Sequence, residues 1–177
     1  MTWEFHLLDT IQHHLQNPFL DKIMPLISAL ADSGFIWIVL TLVLLFTKRW
    51  RRAGQASAIA LIFMLLLGNL ILKPLIGRVR PFDVNTAIRL LIQAPTDFSF
   101  PSGHTFASFA CAVTLFLEDR RLGIPALILA VLIAFSRLYL YVHYPTDVLA
   151  GLLLGIAAAF LGHWLAPRLF PDQAHSK

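Results

Sequence analysis

Long apolar runs broken by short clusters of charge dominate the pattern along this chain. Residues 29–47, 53–76, 123–141 and 145–166 come near or exceed the ~20 mostly apolar residues that a helix needs to cross a bilayer. Residues 106–117 form a shorter run, opened by Gly103 and His104. Residues 19–30 are apolar but short and carry Asp21, Lys22 and Pro25, so they read as a sixth span or as one arm of a half-buried hairpin. Ahead of them, Trp3, Phe5, Leu7, Leu8, Ile11 and Leu15 make an apolar stripe that suits a helix lying in the membrane interface over residues 1–18. The expectation is an all-α polytopic transmembrane helical bundle, with five to six spans plus the N-terminal interfacial helix. Residues 1–177 read as a single membrane-embedded domain, with 168–177 a short cytoplasmic tail.

Composition points the same way. Of 177 residues, 58% are hydrophobic and 14% charged, against roughly 25% charged in an ordinary soluble domain. A domain of this size keeps too much surface exposed to hide so much apolar area from water. A soluble globular domain, a disordered chain and a disulfide scaffold are thereby excluded. A single cysteine, Cys111, precludes an intramolecular disulfide and a cysteine-built metal cluster. The N-terminus lacks the basic start, short apolar core and small-residue site of a cleaved signal peptide. There is no fixed-period repeat and no low-complexity tract.

The net charge of +4 is modest, and its distribution matters more than its size. Lys48, Arg49, Arg51, Arg52, Arg120, Arg121, Arg168 and Lys177 fall on one side of the expected topology. By the excess of Lys and Arg in cytoplasmic loops, that side faces the cytoplasm. Lys73, Arg78, Arg80, Arg89 and Arg137 then face outward. The grouping answers to a membrane and its lipids, with no nucleic-acid partner, and nothing in it sets an oligomeric state.

Three clusters hold nearly every polar residue that a membrane bundle should not tolerate. They are Lys73-Pro-Leu-Ile-Gly-Arg-Val-Arg80-Pro81, then Pro101-Ser102-Gly103-His104, then Ser136-Arg137 followed by His143 and Asp147. The topology brings all three to one membrane face, and charge near a span is usually paired or functional. Lys73, Arg80 and Arg137 converge there with few carboxylates near in sequence, which suits a compact anion with several oxygens. Ser102 is placed to cap a helix whose free N–H groups favour an anion, and Gly103 permits close backbone approach. Pro145 fits the first turn of the last span. Asp147, four residues after His143, can fix the histidine tautomer and raise the basicity of its other nitrogen. His104 can act as a general acid toward a leaving oxygen. Together these groups suit in-line phosphoryl transfer with a histidine nucleophile.

In type, order and internal spacing the three clusters resemble the three-part signature of the type-2 phosphatidic acid phosphatase superfamily. The resemblance implies that His143 attacks phosphorus and carries a phosphohistidine, that Asp147 orients it, and that His104 protonates the leaving group. It implies that Lys73, Arg80, Ser102, Gly103 and Arg137 bind the phosphate, and that no metal and no cofactor is required. Among such proteins the chain is most similar to small bacterial enzymes of the cytoplasmic (inner) membrane that act on lipid phosphates. Undecaprenyl pyrophosphate is the expected substrate, handled at the outer face. Phosphatidylglycerol phosphate, phosphatidic acid and lipid A are the alternatives.

Plainer readings stand beside these. Arg137 and Asp147 can form a structural pair within an apolar bundle. Arg78 and Arg89, outside the signature, suit lipid headgroups, and Asp83 and Asp97 are placed to pair with them. His6, His13, His14, His163 and His175 show no ligand spacing. Ser99, Phe100 and residues 87–92 border the expected site and can shape lipid access. A phosphate-binding lipid transporter also places arginines in spans, but it has no need of two histidines, one of them backed by an aspartate.

Overall fold

A computed structural model describes residues 2–171, and among them every regular element is helical. Helix α1 (Thr2–Leu15) is followed by α2 (Pro18–Ala29), which Asn17 caps by accepting from the N–H groups of Phe19 and Leu20. A tight 3-10 turn, Asp32–Gly34, leads into α3 (Phe35–Phe46). Helix α4 (Arg51–Phe63) runs through a π-helical stretch, Met64–Leu72, into α5 (Lys73–Ile76), where Gly77 stops it at φ +57°. The short α6 (Pro81–Val84) precedes the loop that leads to α7 (Gly103–Glu118). Helices α8 (Arg120–Tyr139) and α9 (Pro145–Leu169) complete the bundle.

Helix α7 is its spine. Every residue from Thr105 to Ala112 is buried, and α7 packs against both α8 and α9. Small residues set the closeness of that contact. A Cβ on Gly151 of α9 would lie 2.7 Å from the carbonyl oxygen of Ser102, and one on Gly155 would lie 2.8 Å from that of Phe106. The two glycines therefore hold the start of α9 against the start of α7. Large apolar side chains such as Leu42, Phe46, Leu153 and Phe160 point outward, as a bilayer solvent requires.

Among the described residues, three helices are long and apolar enough to cross a membrane: Lys48–Val84 as one 37-residue run, Arg120–Tyr139 and Pro145–Leu169. The pair Pro18–Ala29 and Asp32–Phe46, bent by 44°, makes a fourth if it counts as one span. This is fewer than the five to six expected, for two physical reasons. The stretch over 19–30 is joined to the next run across a bend. Helix α7, with 16 residues, rises only about 24 Å, less than the ~30 Å of hydrocarbon. The expected tail from residue 168 begins inside α9, which ends at Leu169, and residues 172–177 of it lie outside the described residues.

Candidate active site

The three polar clusters meet. Lys73, Arg80, His104, Arg137 and His143 line one cavity of about 380 Å³. Each is delivered by local structure. Lys73 stands where the π-helical stretch returns to α-helix, and such departures re-aim side chains. Ser102 caps α7, its Oγ accepting from the Thr105 N–H at 3.4 Å, so Gly103 and His104 occupy the first turn, whose N–H groups lack intrahelical partners. Gly103 leaves room: a Cβ there would sit 3.5 Å from Asn69 Oδ1 and 3.8 Å from Lys73 Nζ. Arg137 lies in the last turn of α8, and His143 follows in the connection to α9, which Pro145 opens.

Burial and charge are concentrated here. Arg80, Arg137, His143 and Asp147 are 3%, 2%, 1% and 0% exposed. Arg80 donates to the Val142 carbonyl at 2.7 Å and to Asp97 Oδ1 at 2.5 Å. Lys73 also bonds Asp97, whose carboxylate thus bridges two cations of the cavity. Half-burial pushes the Asp97 carboxyl up, but the bond and charge of Lys73 and the charge of Arg80 outweigh it and hold the group at about 2. Among the described residues, the Arg137 guanidinium bonds only the hydroxyl of Ser28, and its Nε has no partner. No carboxylate pairs with it among the described residues. A buried guanidinium left in this state suits an anion.

His143 has Asp147 on one side and Arg80 on the other. Its Nδ1 is 3.6 Å from Asp147 Oδ2, and its Nε2 is 3.3 Å from Arg80 Nη1. Burial, only partly offset by Asp147, pushes the imidazole down to about 3, so it is neutral at physiological pH and keeps a lone pair. Asp147 is held by Ser99 Oγ at 2.5 Å, by the Tyr144 N–H at 3.0 Å and by Arg78 Nη1 at 2.5 Å.

Several plainer readings are corrected. Arg137 does not pair with Asp147; Ser28 and the open cavity take its place. Arg78 does not reach out to headgroups. It bridges Asp147 to Glu4 of α1, with Nη2 to Glu4 Oε2 at 2.7 Å, and lies over the Tyr144 ring. Asp97 pairs with Lys73 and Arg80 and not with the outlying arginines. Ser99 is fully buried and bonded to Asp147, and so positions that carboxylate. His163, which shows no ligand spacing in the sequence, has one acidic neighbour, Glu118, at 2.7 Å. The signals for these partners were faint: one acid, Glu4, inside an apolar stripe, and one acid, Asp32, heading a span. Asp32 Oδ1 lies 2.8 Å from His104 Nε2. Among the described residues, no group of three or more His, Cys, Asp or Glu is placed to hold a metal ion.

A second cavity of about 500 Å³ shares Lys73, Asp97, Gly103 and His104 with the first. Its remaining wall is mostly apolar, with Ile38 of α3, Leu61 and Ile62 of α4, and Leu65 of the π-helical stretch. The charged chamber thus opens onto an apolar cleft between helices.

Residues 55–171 match the PAP2 superfamily, and the three clusters fall inside that match. The chain belongs to this family. It is a membrane lipid phosphatase, a hydrolase. Over 128 residues it is 40% identical to the undecaprenyl-diphosphatase of Sulfolobus acidocaldarius, covering 72% of this chain and 62% of that protein. Over 161 residues it is 32% identical to the undecaprenyl-diphosphatase BcrC of Bacillus subtilis, covering 89% of this chain and 79% of that one. Its fold is similar to the crystal structure of a transmembrane PAP2-type phosphatidylglycerolphosphate phosphatase from Bacillus subtilis. That similarity has a TM-score of 0.76 at 27% identity, over 97% of this chain and 88% of the other.

Proposed function

We propose that this PAP2 phosphatase hydrolyses undecaprenyl pyrophosphate through a phosphohistidine intermediate at the outer face of a bacterial cytoplasmic membrane. The observation that carries the reading is the pairing of chambers. Two imidazoles and an Arg137 without a carboxylate share a polar cavity that joins an apolar cleft. A lipid-linked polyanion matches both halves, the phosphates in one and the chain in the other. The substrate choice is supported by the two undecaprenyl-diphosphatase relatives. Phosphatidylglycerol phosphate is the second reading, supported by the structural neighbour.

In this mechanism Lys73, Arg80, Arg137 and the backbone at Gly103 hold the phosphoryl oxygens and offset the charge that develops in the transition state, while Ser102, expected to bind phosphate, is fully buried and serves by capping the turn that presents Gly103 and His104. The phosphoryl oxygens of the substrate displace the Asp97 carboxylate from Lys73 and Arg80. His143, neutral and turned by Asp147, attacks phosphorus through Nε2. Asp147 stabilises the positive ring as it forms. His104 protonates the departing oxygen, then takes the proton of the water that opens the phosphohistidine. The chamber closes on Asp147 as the imidazole gains charge, shortening the 3.6 Å resting separation.

One domain carries the whole reaction, in five crossings: the bent α2–α3 pair, the run through α4 and α5, α8 and α9, and the shorter α7, which as the buried spine is surrounded by other helices and need not match the full hydrocarbon thickness. The basic 48–52 turn, Arg120, Arg121 and Arg168 then face the cytoplasm. Helix α1 shares the outer face with the site, where Glu4 meets Arg78.

The test is a panel of undecaprenyl pyrophosphate, phosphatidylglycerol phosphate, phosphatidic acid and lipid A, with H143A as blank. The expected result is fastest phosphate release from undecaprenyl pyrophosphate. An acid-labile, base-stable phosphoenzyme should form in the wild type and be missing in H143A. Turnover retained in H143A would falsify the nucleophile assignment.

A further inference from the structure

The three signature segments supply Asp147 as the carboxylate facing His143. They supply none for His104, which shares its cavity with Lys73, Arg80 and Arg137. A proton donor among three cations is hard to keep charged, because each of them disfavours the imidazolium. The structure provides a carboxylate from elsewhere. Asp32, 72 residues earlier, places Oδ1 2.8 Å from His104 Nε2. The other acid lining the cavity, Asp97, is taken up by Lys73 and Arg80.

The backbone around Asp32 is unusual in a way that bears on this contact. It occupies the break between α2 and α3, where Ser33 adopts φ +53° and Gly34 φ +74°. A serine in the left-handed region is strained, and such residues persist where the surroundings over-determine them, often at functional sites. The turn lifts Asp32 out of the α3 helix and presents it to the first turn of α7. Its side chain is 66% exposed and that of His104 19%, so burial does not account for the contact.

We propose that Asp32 is the positioning residue for leaving-group protonation, holding His104 by Nε2 and stabilising its charged form so that Nδ1 delivers the proton. This rests on His104 being the proton donor, as argued above. The His143 Nε2 lone pair forms the P–N bond, and the P–O bond breaks with its electron pair passing to the leaving oxygen. That oxygen takes the proton from His104 Nδ1, and His104 becomes neutral with Nε2–H still donating to Asp32. In the second half, His104 Nδ1 accepts a proton from water as the water oxygen bonds phosphorus. The P–N electron pair returns to His143, and the Asp32–imidazolium pair is restored.

The test separates this from a structural role through the leaving group. An alkyl phosphate such as dioctanoyl phosphatidic acid departs as a poor leaving group and needs the proton. p-Nitrophenyl phosphate departs as a stable phenolate and hardly needs it. On the full-length purified enzyme, D32N is expected to lower kcat on dioctanoyl phosphatidic acid by about 100-fold, in the range of a lost general acid–base contribution. It should lower kcat on p-nitrophenyl phosphate by less than about threefold by the same argument. D32S should behave as D32N, and D32E should recover most of the alkyl-ester rate. Turnover of p-nitrophenyl phosphate also reports that each variant is folded. H104Q, run in parallel, should show the same leaving-group dependence. Equal losses on both substrates in D32N and D32S, or no loss on either, overturn the proposal while H104Q still discriminates. If H104Q does not discriminate, the proton-donor assignment falls and the role of Asp32 with it.

Discussion

Arg78 donates to Asp147 Oδ1 at 2.5 Å. Its other terminal nitrogen holds Glu4, and Glu4 in turn accepts from the Thr146 hydroxyl at 2.6 Å. The first helix of the chain is thus joined through one guanidinium to the carboxylate that faces His143. Glu4 is only 4% exposed on a helix whose other face carries Trp3 at 56%. Such a buried acid is retained where it is paired.

Substituting Glu4 tests that link. E4Q leaves Arg78 with Asp147 as its one carboxylate and removes a charge-assisted bond. A loss of about 1–3 kcal/mol in stability is expected. Turnover should fall as well, since an unbalanced Arg78 draws the charge of Asp147 away from His143. Thermal unfolding and phosphate release in the same detergent check both.

Asp97 occupies the cations that a phosphate needs. Removing its charge in D97N should let inorganic phosphate reach Lys73 and Arg80 without displacing a carboxylate. Because the pair is half-exposed, the gain is modest, about two- to fivefold in the product inhibition constant. Measuring inhibition by phosphate against both proteins decides the matter. Weaker inhibition in D97N would show that Asp97 instead braces the site open.

The buried His143 sets a pH dependence of stability. Its folded value of about 3 lies below the ordinary 6.5. Between those two values the unfolded chain takes up a proton at this position and the native chain does not. Stability is therefore full above about pH 6.5 and falls as the pH drops toward 3, with a limiting slope near 1.4 kcal/mol per pH unit. H143N should show a shallower decline over the same range. Thermal unfolding from pH 7.5 to 4.5 compares the two, and parallel slopes would place the proton uptake elsewhere.

Close packing of α7 on α9 makes a different test. G151A puts a methyl group 2.7 Å from the Ser102 carbonyl and should cost about 1–3 kcal/mol. Since Ser102 and Asp147 sit on the two helices it forces apart, activity should suffer more than stability. G155A, one turn further from the site with a 2.8 Å contact, should destabilise comparably while keeping more activity. Kinetics and melting of the two variants side by side show whether that difference exists.

What could be read in advance followed from local chemistry. The period and length of apolar runs marked out α3, α8 and α9, because a bilayer accepts only segments whose backbone polar groups are satisfied internally. The cap at Ser102 and the proline opening α9 were legible because capping is decided within a few residues. Signature spacing grouped Lys73, Arg80, His104, Arg137 and His143, and the fold brings them to one cavity. The role of Arg78 is not legible in the sequence, because its partners, Glu4 and Asp147, lie 74 and 69 residues away.

The sequence by itself therefore determined the apolar bundle, the family and the set of cations and imidazoles, since each depends on residue type and short spacing. Which carboxylate meets which base was decided only by the tertiary structure: Asp97 on Lys73 and Arg80, Asp32 on His104, Glu4 and Asp147 on Arg78. Ion pairing depends on distance in space, and these partners come from segments far apart in the chain that only packing, such as that of α9 on α7 at Gly151 and Gly155, brings together.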